Sequence, residues 1–269
     1  MSGKGELRLE HWIYGVSHEK GYGVRAESHD LNASLYTPFF GNLFTPVRMD
    51  KTQGGETGID TRMVHPVAGN DEILFSLLGR GEPDEYDRPT IQNHTVVVPG
   101  EPLRSGRLSF EGIEGAVQAF DRSFPKAAGR IDPITISPGA WARPPGPVGT
   151  GIRRFMSQAA AETLATHLLT EPGGRVLVLC RQSTSQYRNT LLYRLIELLN
   201  FGGNLELFPA ISDAPTLSAM NHFRLAISAR GVRADRTWTL LDAGLDAPAL
   251  PRYKGKTPMY SQIAEAFAA

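Results

Sequence analysis

The segment between residues 133 and 150 divides this chain into two parts with different sequence patterns. Its prolines and glycines stand at Pro133, Pro138, Pro144, Pro145, Pro147, Gly139, Gly146 and Gly149. Proline fixes its own φ angle and lacks an amide hydrogen, so this composition is typical of an extended linker. We therefore predict a first lobe over residues 1–132, a linker over 133–150 and a second lobe over 151–269.

The first lobe consists mainly of short runs that favour β-strands. Two aromatic-rich runs flank the polar connector Ser17–Lys20, which predicts a β-hairpin of paired strands over 8–15 and 22–28. Further strands are predicted over 61–66, over 73–78 and over the β-branched run 95–99. A short helix is predicted over 112–120, with Ser109 or Glu111 as its cap.

The second lobe alternates helices and strands, an order that builds parallel sheets. Helices are predicted over 153–170, from Ser183 or Ser185 as the cap to about residue 200, and over 261–268. Strands are predicted over 175–180, 205–208, 222–229 and 237–241. The whole chain is therefore expected to have an α+β fold, in which a strand-rich N-terminal lobe precedes an α/β lobe with a partly parallel sheet.

Charge and cysteine content exclude several classes of protein. The chain carries 28 basic and 28 acidic residues, so no global attraction to nucleic acid or an anionic membrane is expected. Its single cysteine, Cys180, permits no intramolecular disulfide and ends an apolar run, which favours a buried thiol over a nucleophile. Neither a signal peptide nor an apolar run of about 18–20 residues is present, and we expect a cytoplasmic protein without membrane contact.

Histidines provide the main candidates for chemistry. His11, His18 and His29 cluster in the hairpin, but their spacing matches no zinc site, so we predict polar hairpin residues and no metal. His94 opens a strand, and with the upstream Asp87 it is the candidate catalytic pair for acid–base chemistry. A structural, hydrogen-bonding role is the more ordinary interpretation of a histidine at that position.

Phosphate and anion binding have weaker support. The turn after strand 175–180 has no glycine and no Walker lysine, so no nucleotide cofactor is predicted. A candidate anion-binding or partner-binding face is formed by exposed arginines of the second lobe, Arg153, Arg154, Arg181 and Arg188. A solvated helix face explains the same residues.

Several short motifs resemble those of a known family. The hairpin contains Trp12, Tyr14, Gly15, Gly21 and Tyr22, and a later segment contains Arg88, Pro89 and His94 before a hydrophobic strand. This arrangement resembles the N-terminal domain of the bacterial GTPase-associated protein 1 family. The resemblance implies an adaptor linked with GTPases in bacterial conflict or signalling systems, with no enzymatic activity assigned. Family members are longer and have additional domains.

Three functions follow as hypotheses. The first is a non-enzymatic adaptor or regulatory subunit that binds a GTPase or another complex subunit in antiviral defence or signalling. The second is a metal- or His-dependent hydrolase or nuclease, which requires the histidines to converge. The third is a nucleic-acid-binding subunit, which requires the four arginines to form one positive groove.

Overall fold

The computed structural model of the protein describes residues 6–17, 21–36, 60–81, 83, 86, 90–137, 142–143, 146–180, 184–202, 206–212, 222–229, 237–243 and 259–269. These residues form an α+β fold with parallel and antiparallel strands, as expected. The chain divides into two compact units, Met1–Arg143 and Pro144–Ala269. The boundary lies inside the segment 133–150, in which residues Ile134–Ile136 form a strand.

Unit 1 is built around a mixed sheet. Its strands are β1 (Leu7–Leu9), β2 (His11–Ser17), β3 (Gly21–Ser28), β4 (Asp60–Pro66), β5 (Glu72–Gly81), β6 (Thr90–Pro99), β7 (Gly129–Ile131) and β8 (Ile134–Ile136), and its α-helices are α1 (Gly100–Arg104) and α2 (Phe110–Ser123). Within this unit the order is β4-β5-β6-β2-β3-β7, antiparallel except for the parallel pair β3–β7. Strands β1 and β8 form a separate antiparallel pair.

The predicted hairpin is confirmed as β2 and β3. Its register pairs Ile13 with Ala26 and Tyr14 with Val24, so Arg25 is an extra residue that forms a β-bulge. The predicted strands over 61–66 and 73–78 are confirmed as parts of β4 and β5. Helix α2 contains the predicted helix, and its cap is Ser109, whose Oγ accepts a 3.1 Å hydrogen bond from the Gly112 amide.

Both faces of the unit 1 sheet are buried at its centre. On one face Phe75 contacts Phe110 of α2, with ring centroids 5.4 Å apart. Leu74 is adjacent to Phe75 in β5 and therefore points to the other face, where it joins a cluster with Trp12, Leu31, Ala33 and Val97. The ring of Tyr36, in a 3-10 helix over Ala33–Tyr36, stacks on Trp12 at 5.3 Å.

Unit 2 contains a parallel sheet. Its strands are β9 (Arg175–Cys180), β10 (Ala210–Ile211), β11 (Leu225–Ala229) and β12 (Trp238–Asp242), and its α-helices are α3 (Gln158–Thr170), α4 (Ser185–Ile196) and α5 (Met259–Ala268). Within this unit the order is β12-β9-β11-β10, and all three pairings are parallel. A 3-10 helix spans Ile152–Arg154, and α4 continues as a π-helix over Glu197–Gly202. None of the helices in the described part is long and apolar enough to cross a membrane.

Three boundary predictions for unit 2 are wrong. The helix expected over 153–170 begins only at Gln158, because Ser157 has an extended backbone and caps α3. Helix α4 is capped by Thr184, and not by Ser183 or Ser185. Residues 206–208 form no strand; pairing begins after Pro209, which has no amide hydrogen to donate to a ladder.

Candidate functional site

Two histidines of unit 1 lie on neighbouring strands and face α2. The register of β2 and β6 pairs Ile13 with His94 and His11 with Val96, so the two histidines are diagonal neighbours on one face. Their exposed fractions are 0% for His11 and 1% for His94. The strands bring together two residues that are 83 positions apart in the chain.

The two imidazole rings form a continuous chain of hydrogen bonds. His11 Nδ1 lies 2.7 Å from His94 Nε2, and His94 Nδ1 lies 2.8 Å from Asp121 Oδ1. At the other end, His11 Nε2 lies 2.9 Å from the carbonyl oxygen of Asp132. Asp121 belongs to the last turn of α2, and its side chain is 34% exposed. The chain therefore connects a partly exposed carboxylate to the backbone beyond β7.

Packing fixes the orientation of both rings. They lie nearly parallel, with centroids 4.9 Å apart, and Phe120 contacts them edge-on at 4.7 Å from His11 and 5.7 Å from His94. The Ser28 hydroxyl accepts a 2.8 Å bond from the His11 amide and donates a 3.1 Å bond to the His11 carbonyl. These contacts hold the backbone as well as the ring of His11 in place.

Burial makes His11 difficult to protonate. Desolvation, followed by the positive charge of a protonated His94, lowers the pKa of His11 from 6.5 to about 4. The hydrogen bond to the Asp132 carbonyl and the charge of Asp121 act in the opposite direction, but they are weaker. His11 is therefore a neutral imidazole at physiological pH.

The hydrogen-bonded pair of His11 and His94 is poorly suited to acid–base catalysis. A general base needs a nitrogen within hydrogen-bonding reach of the proton that it removes. All four ring nitrogens of His11 and His94 are bonded within the chain, to each other, to Asp121 and to the Asp132 carbonyl. A substrate would have to displace one of these partners first.

The carboxylate partner of His94 is a residue that the sequence interpretation missed. Asp121 follows Phe110, Ile113 and Val117 along the buried stripe of α2. An acidic residue on an apolar helical stripe indicates a buried partner, and this signal was available in the sequence. Asp87, the predicted partner, lies outside the described residues, as do Arg88 and Pro89.

The three hairpin histidines are not seen to converge. His29 has a 57% exposed side chain, and its Nε2 lies 3.9 Å from Asp132 Oδ1, outside the ring-to-ring chain. His18 lies outside the described residues. Over the described ranges, no group of three or more His, Cys, Asp or Glu side chains is arranged to hold a metal ion.

The aromatic residues of the hairpin have two different environments. Trp12 is fully buried, whereas Tyr22 is 53% and Val24 39% exposed. The rings of Tyr14 and Tyr22 stack with their centroids 6.3 Å apart, and the Tyr22 hydroxyl accepts a 3.2 Å bond from the Ile91 amide of β6.

The glycines of the hairpin lie at its turn and within its paired strands. Gly21 begins β3 with a φ of +72°, a conformation that favours glycine. Gly15 lies opposite Gly23 in the same hairpin.

Two of the four arginines of the predicted face lie on the surface of the described part of unit 2. Arg153 and Arg154 are exposed in the 3-10 helix, and Arg181 lies outside the described residues. Arg188 is only 4% exposed, which corrects the expectation that it lies on the surface. The reason is its position one turn before Leu191 and Leu192, on the buried side of α4.

Cys180 is a buried thiol, as predicted. It is 1% exposed at the end of β9. Desolvation raises the pKa of its thiol to about 12; Arg188 opposes this shift and the charge of Asp242 adds to it. A nucleophilic role would require a thiolate, which this environment disfavours at neutral pH.

In the described part of unit 1, the histidine pair and the exposed hairpin edge are the two features to which a function can be assigned. The ring nitrogens of the histidine pair are all engaged in internal hydrogen bonds, whereas the hairpin edge presents an aromatic side chain to solvent.

No model of a known protein family matches this chain, and no curated protein matches it.

Proposed function

We propose that this chain is a non-enzymatic adaptor or regulatory subunit that binds a GTPase, within a complex of a bacterial defence or signalling system. The observation that carries the proposal is the exposure of Tyr22 and Val24 on β3, at the edge of the hairpin. The resemblance of this hairpin to GTPase-associated protein 1 domains supports the choice of a GTPase as the partner.

The edge of β3 has the geometry of a protein-binding strand. β3 pairs with β7 only from Ala26 to Ser28. On that side of β3, no described strand pairs with the preceding residues 21–25. An open strand edge offers amide hydrogens and carbonyl oxygens to an added strand of a partner, and side chains beside it supply specificity.

The side chains at this edge are suited to an interface. Val24 is directly opposite Tyr14, and Tyr22 stacks on Tyr14, so the three residues share one face of the hairpin. The bond from the Ile91 amide to the Tyr22 hydroxyl restrains that ring before any partner arrives. Ordered aromatic side chains lose little entropy on binding and are frequent in the centres of interfaces.

Two further observations favour binding over catalysis. The net charge is zero, which is compatible with a protein partner and removes a general attraction to nucleic acid. The ring nitrogens of His11 and His94, the histidines closest to a catalytic arrangement, are all bonded internally.

The test is co-purification from the native host under gentle lysis, with identification of the bound proteins by mass spectrometry. We expect a GTPase encoded near this chain to be recovered, and the purified pair to form a complex in solution. The double variant Tyr22→Ser/Val24→Thr should lose the complex. Leu240→Thr is the matched control, because Leu240 is also an exposed apolar strand residue (54% exposed) but belongs to unit 2.

Two results would overturn the proposal. One is a monomer recovered without a partner under these conditions. The other is a complex that the double variant and Leu240→Thr retain equally. Thermal unfolding of all three proteins should accompany the assay, because loss of the Tyr22 hydroxyl also removes its bond to Ile91.

A His-dependent hydrolase or nuclease is the second candidate, and the Asp121–His94 bond favours it. A carboxylate on Nδ1 is the group that orients a general base in many hydrolases. This function requires the His11–His94 bond to open when substrate binds. Purified protein should then hydrolyse an activated phosphodiester or ester, with or without added divalent metal, and His94→Gln should abolish the activity.

A further inference from the structure

The hydrogen-bond chain through His11, His94 and Asp121 needs one more proton than two neutral imidazoles supply. Each of the three bonds requires one hydrogen: between Asp121 and His94, between the two rings, and between His11 and the Asp132 carbonyl. A neutral imidazole carries a single N–H, so two neutral rings donate only two hydrogens. An ionised carboxylate and a carbonyl oxygen donate none.

We propose that His94 carries both ring protons at neutral pH, as a buried imidazolium paired with the Asp121 carboxylate, and that loss of this proton at higher pH breaks one bond of the hydrogen-bond chain that links the last turn of α2 to the sheet. His11 is then the neutral tautomer with hydrogen on Nε2, which donates to the Asp132 carbonyl. Its Nδ1 accepts from His94.

The position of the extra proton follows from the order of the groups. A carboxyl group is a stronger acid than an imidazolium by about 2.5 pKa units, so the proton belongs on a ring and not on Asp121. Of the two rings, His94 is the one that contacts the carboxylate, at 2.8 Å. His11 faces an uncharged carbonyl instead, and burial depresses its pKa to about 4. The charge therefore resides on His94.

The groups of the hydrogen-bond chain come from three elements and from the segment after β7. His11 belongs to β2, His94 to β6 and Asp121 to α2. Asp132, after β7, contributes only its carbonyl to the chain, because its carboxylate is 95% exposed and lies near His29. Asp121 is thus the counter-ion of the proposed imidazolium, and no acidic side chain other than Asp121 is hydrogen-bonded to either ring in the described part of unit 1.

Deprotonation has a structural consequence at the end of α2. With two protons left, one bond of the chain is lost and two acceptors face each other inside the protein. Asp121 and Phe120 are consecutive residues of the last turn, and both contact the pair. The ring of Phe120 also lies 5.0 Å from that of Phe124, so a shift of the histidine rings should be sensed by the aromatic side chains at the end of the helix.

The first test counts ring protons in the unmodified chain. Nitrogen-15 NMR of the imidazoles at pH 7 should show three N–H groups for the pair: two on His94 and one on His11 Nε2. As the pH rises, one N–H signal should disappear while the ring signals of Phe120 shift. A count of two N–H groups for the pair at pH 7 would overturn the proposal, independently of the results for the variants.

The second test uses Asp121→Asn, which preserves the hydrogen-bond chain but requires one proton fewer on the two rings. The asparagine amide donates to His94 Nδ1, so two neutral rings satisfy all three bonds and the NMR count should fall to two. As the pH rises above 7, the unfolding constant of the wild type should rise relative to this variant, by about tenfold for each pH unit over which only the native state holds the extra proton.

Asp132→Asn is the matched control for the second test. It changes a neighbouring aspartate but leaves the carbonyl that His11 contacts. This variant should keep three ring protons and the wild-type pH dependence. The same pH dependence in wild type and Asp121→Asn would overturn the proposal. These measurements involve no partner, so their outcome is independent of the adaptor function.

Discussion

Arg62 on β4, whose side chain is buried, forms an ion pair with the partly buried Glu114 on α2, and this pair links the helix to the sheet. Arg62 Nε donates a 3.0 Å bond to Glu114 Oε1, and its Nη1 lies 2.6 Å from Asp60 Oδ1. The Arg62 side chain is only 6% exposed, so its charge depends on these carboxylates. A buried charge without its partner is far costlier than the intact pair is stabilising.

Glu114→Ala should therefore lower the free energy of unfolding by about 2 kcal/mol, since it removes the charged hydrogen bonds to Glu114 but leaves Arg62 paired with Asp60. Urea denaturation measures this loss. Glu101→Ala is the control, because it removes an ion pair with Arg107 that is exposed on both sides, and such pairs contribute about 0–1 kcal/mol. Equal losses for the two variants would show that the Arg62–Glu114 pair is not a buried support of α2.

Acid should destabilise unit 1 through His11. In the unfolded chain this histidine takes up a proton near pH 6.5, but its folded pKa is about 4. The contribution of neutral His11 to the free energy of unfolding is therefore fully present above pH 6.5. It is lost as the pH falls towards 4, by about 3 kcal/mol in total. His11→Gln should show a smaller fall over the same window in urea denaturation at several pH values. An unchanged fall would assign the acid sensitivity to other groups.

Arg224 should not be replaceable by lysine. Its guanidinium donates to the carbonyls of Leu168 and Glu171 at 3.2 Å and of Gly174 at 3.4 Å, at the end of α3. A lysine ammonium cannot reproduce this fork, so Arg224→Lys should cost about 1–2 kcal/mol. Hydrogen exchange in the last turn of α3 should become faster. The exposed Arg153→Lys is the control and should change neither measurement.

Cys180 should not react in the folded protein. Burial and a thiol pKa of about 12 leave almost no accessible thiolate at pH 8. Labelling with a thiol reagent should proceed only at the rate of unfolding and become fast in denaturant. Because Cys180 is the only cysteine, Ser123→Cys adds an exposed thiol on α2 that should be labelled at once. Rapid labelling of the native wild type would contradict the buried environment.

Local patterns predicted most elements but not all of their boundaries. The hairpin, β4, β5 and β9 follow from alternating or β-branched runs, and Ser109 was a recognisable cap. The apolar pattern from Arg153 to Thr170 concealed an interruption, because Phe155 continues the helical spacing although the α-helix starts after Ser157. Thr184, Ser183 and Ser185 are all good caps, and only the backbone path chooses among them.

The sequence alone determined that this is an α+β chain with a strand-rich first half, a helix–strand second half and a buried cysteine. These properties depend on residue spacing and side-chain polarity, which act over a few positions. Only the tertiary structure decided the pairing of His11 with His94 and of His94 with Asp121, which are 83 and 27 residues apart. Such contacts depend on strand register and helix placement. These are set by the packing of the whole unit, because burying the sheet faces outweighs any local preference.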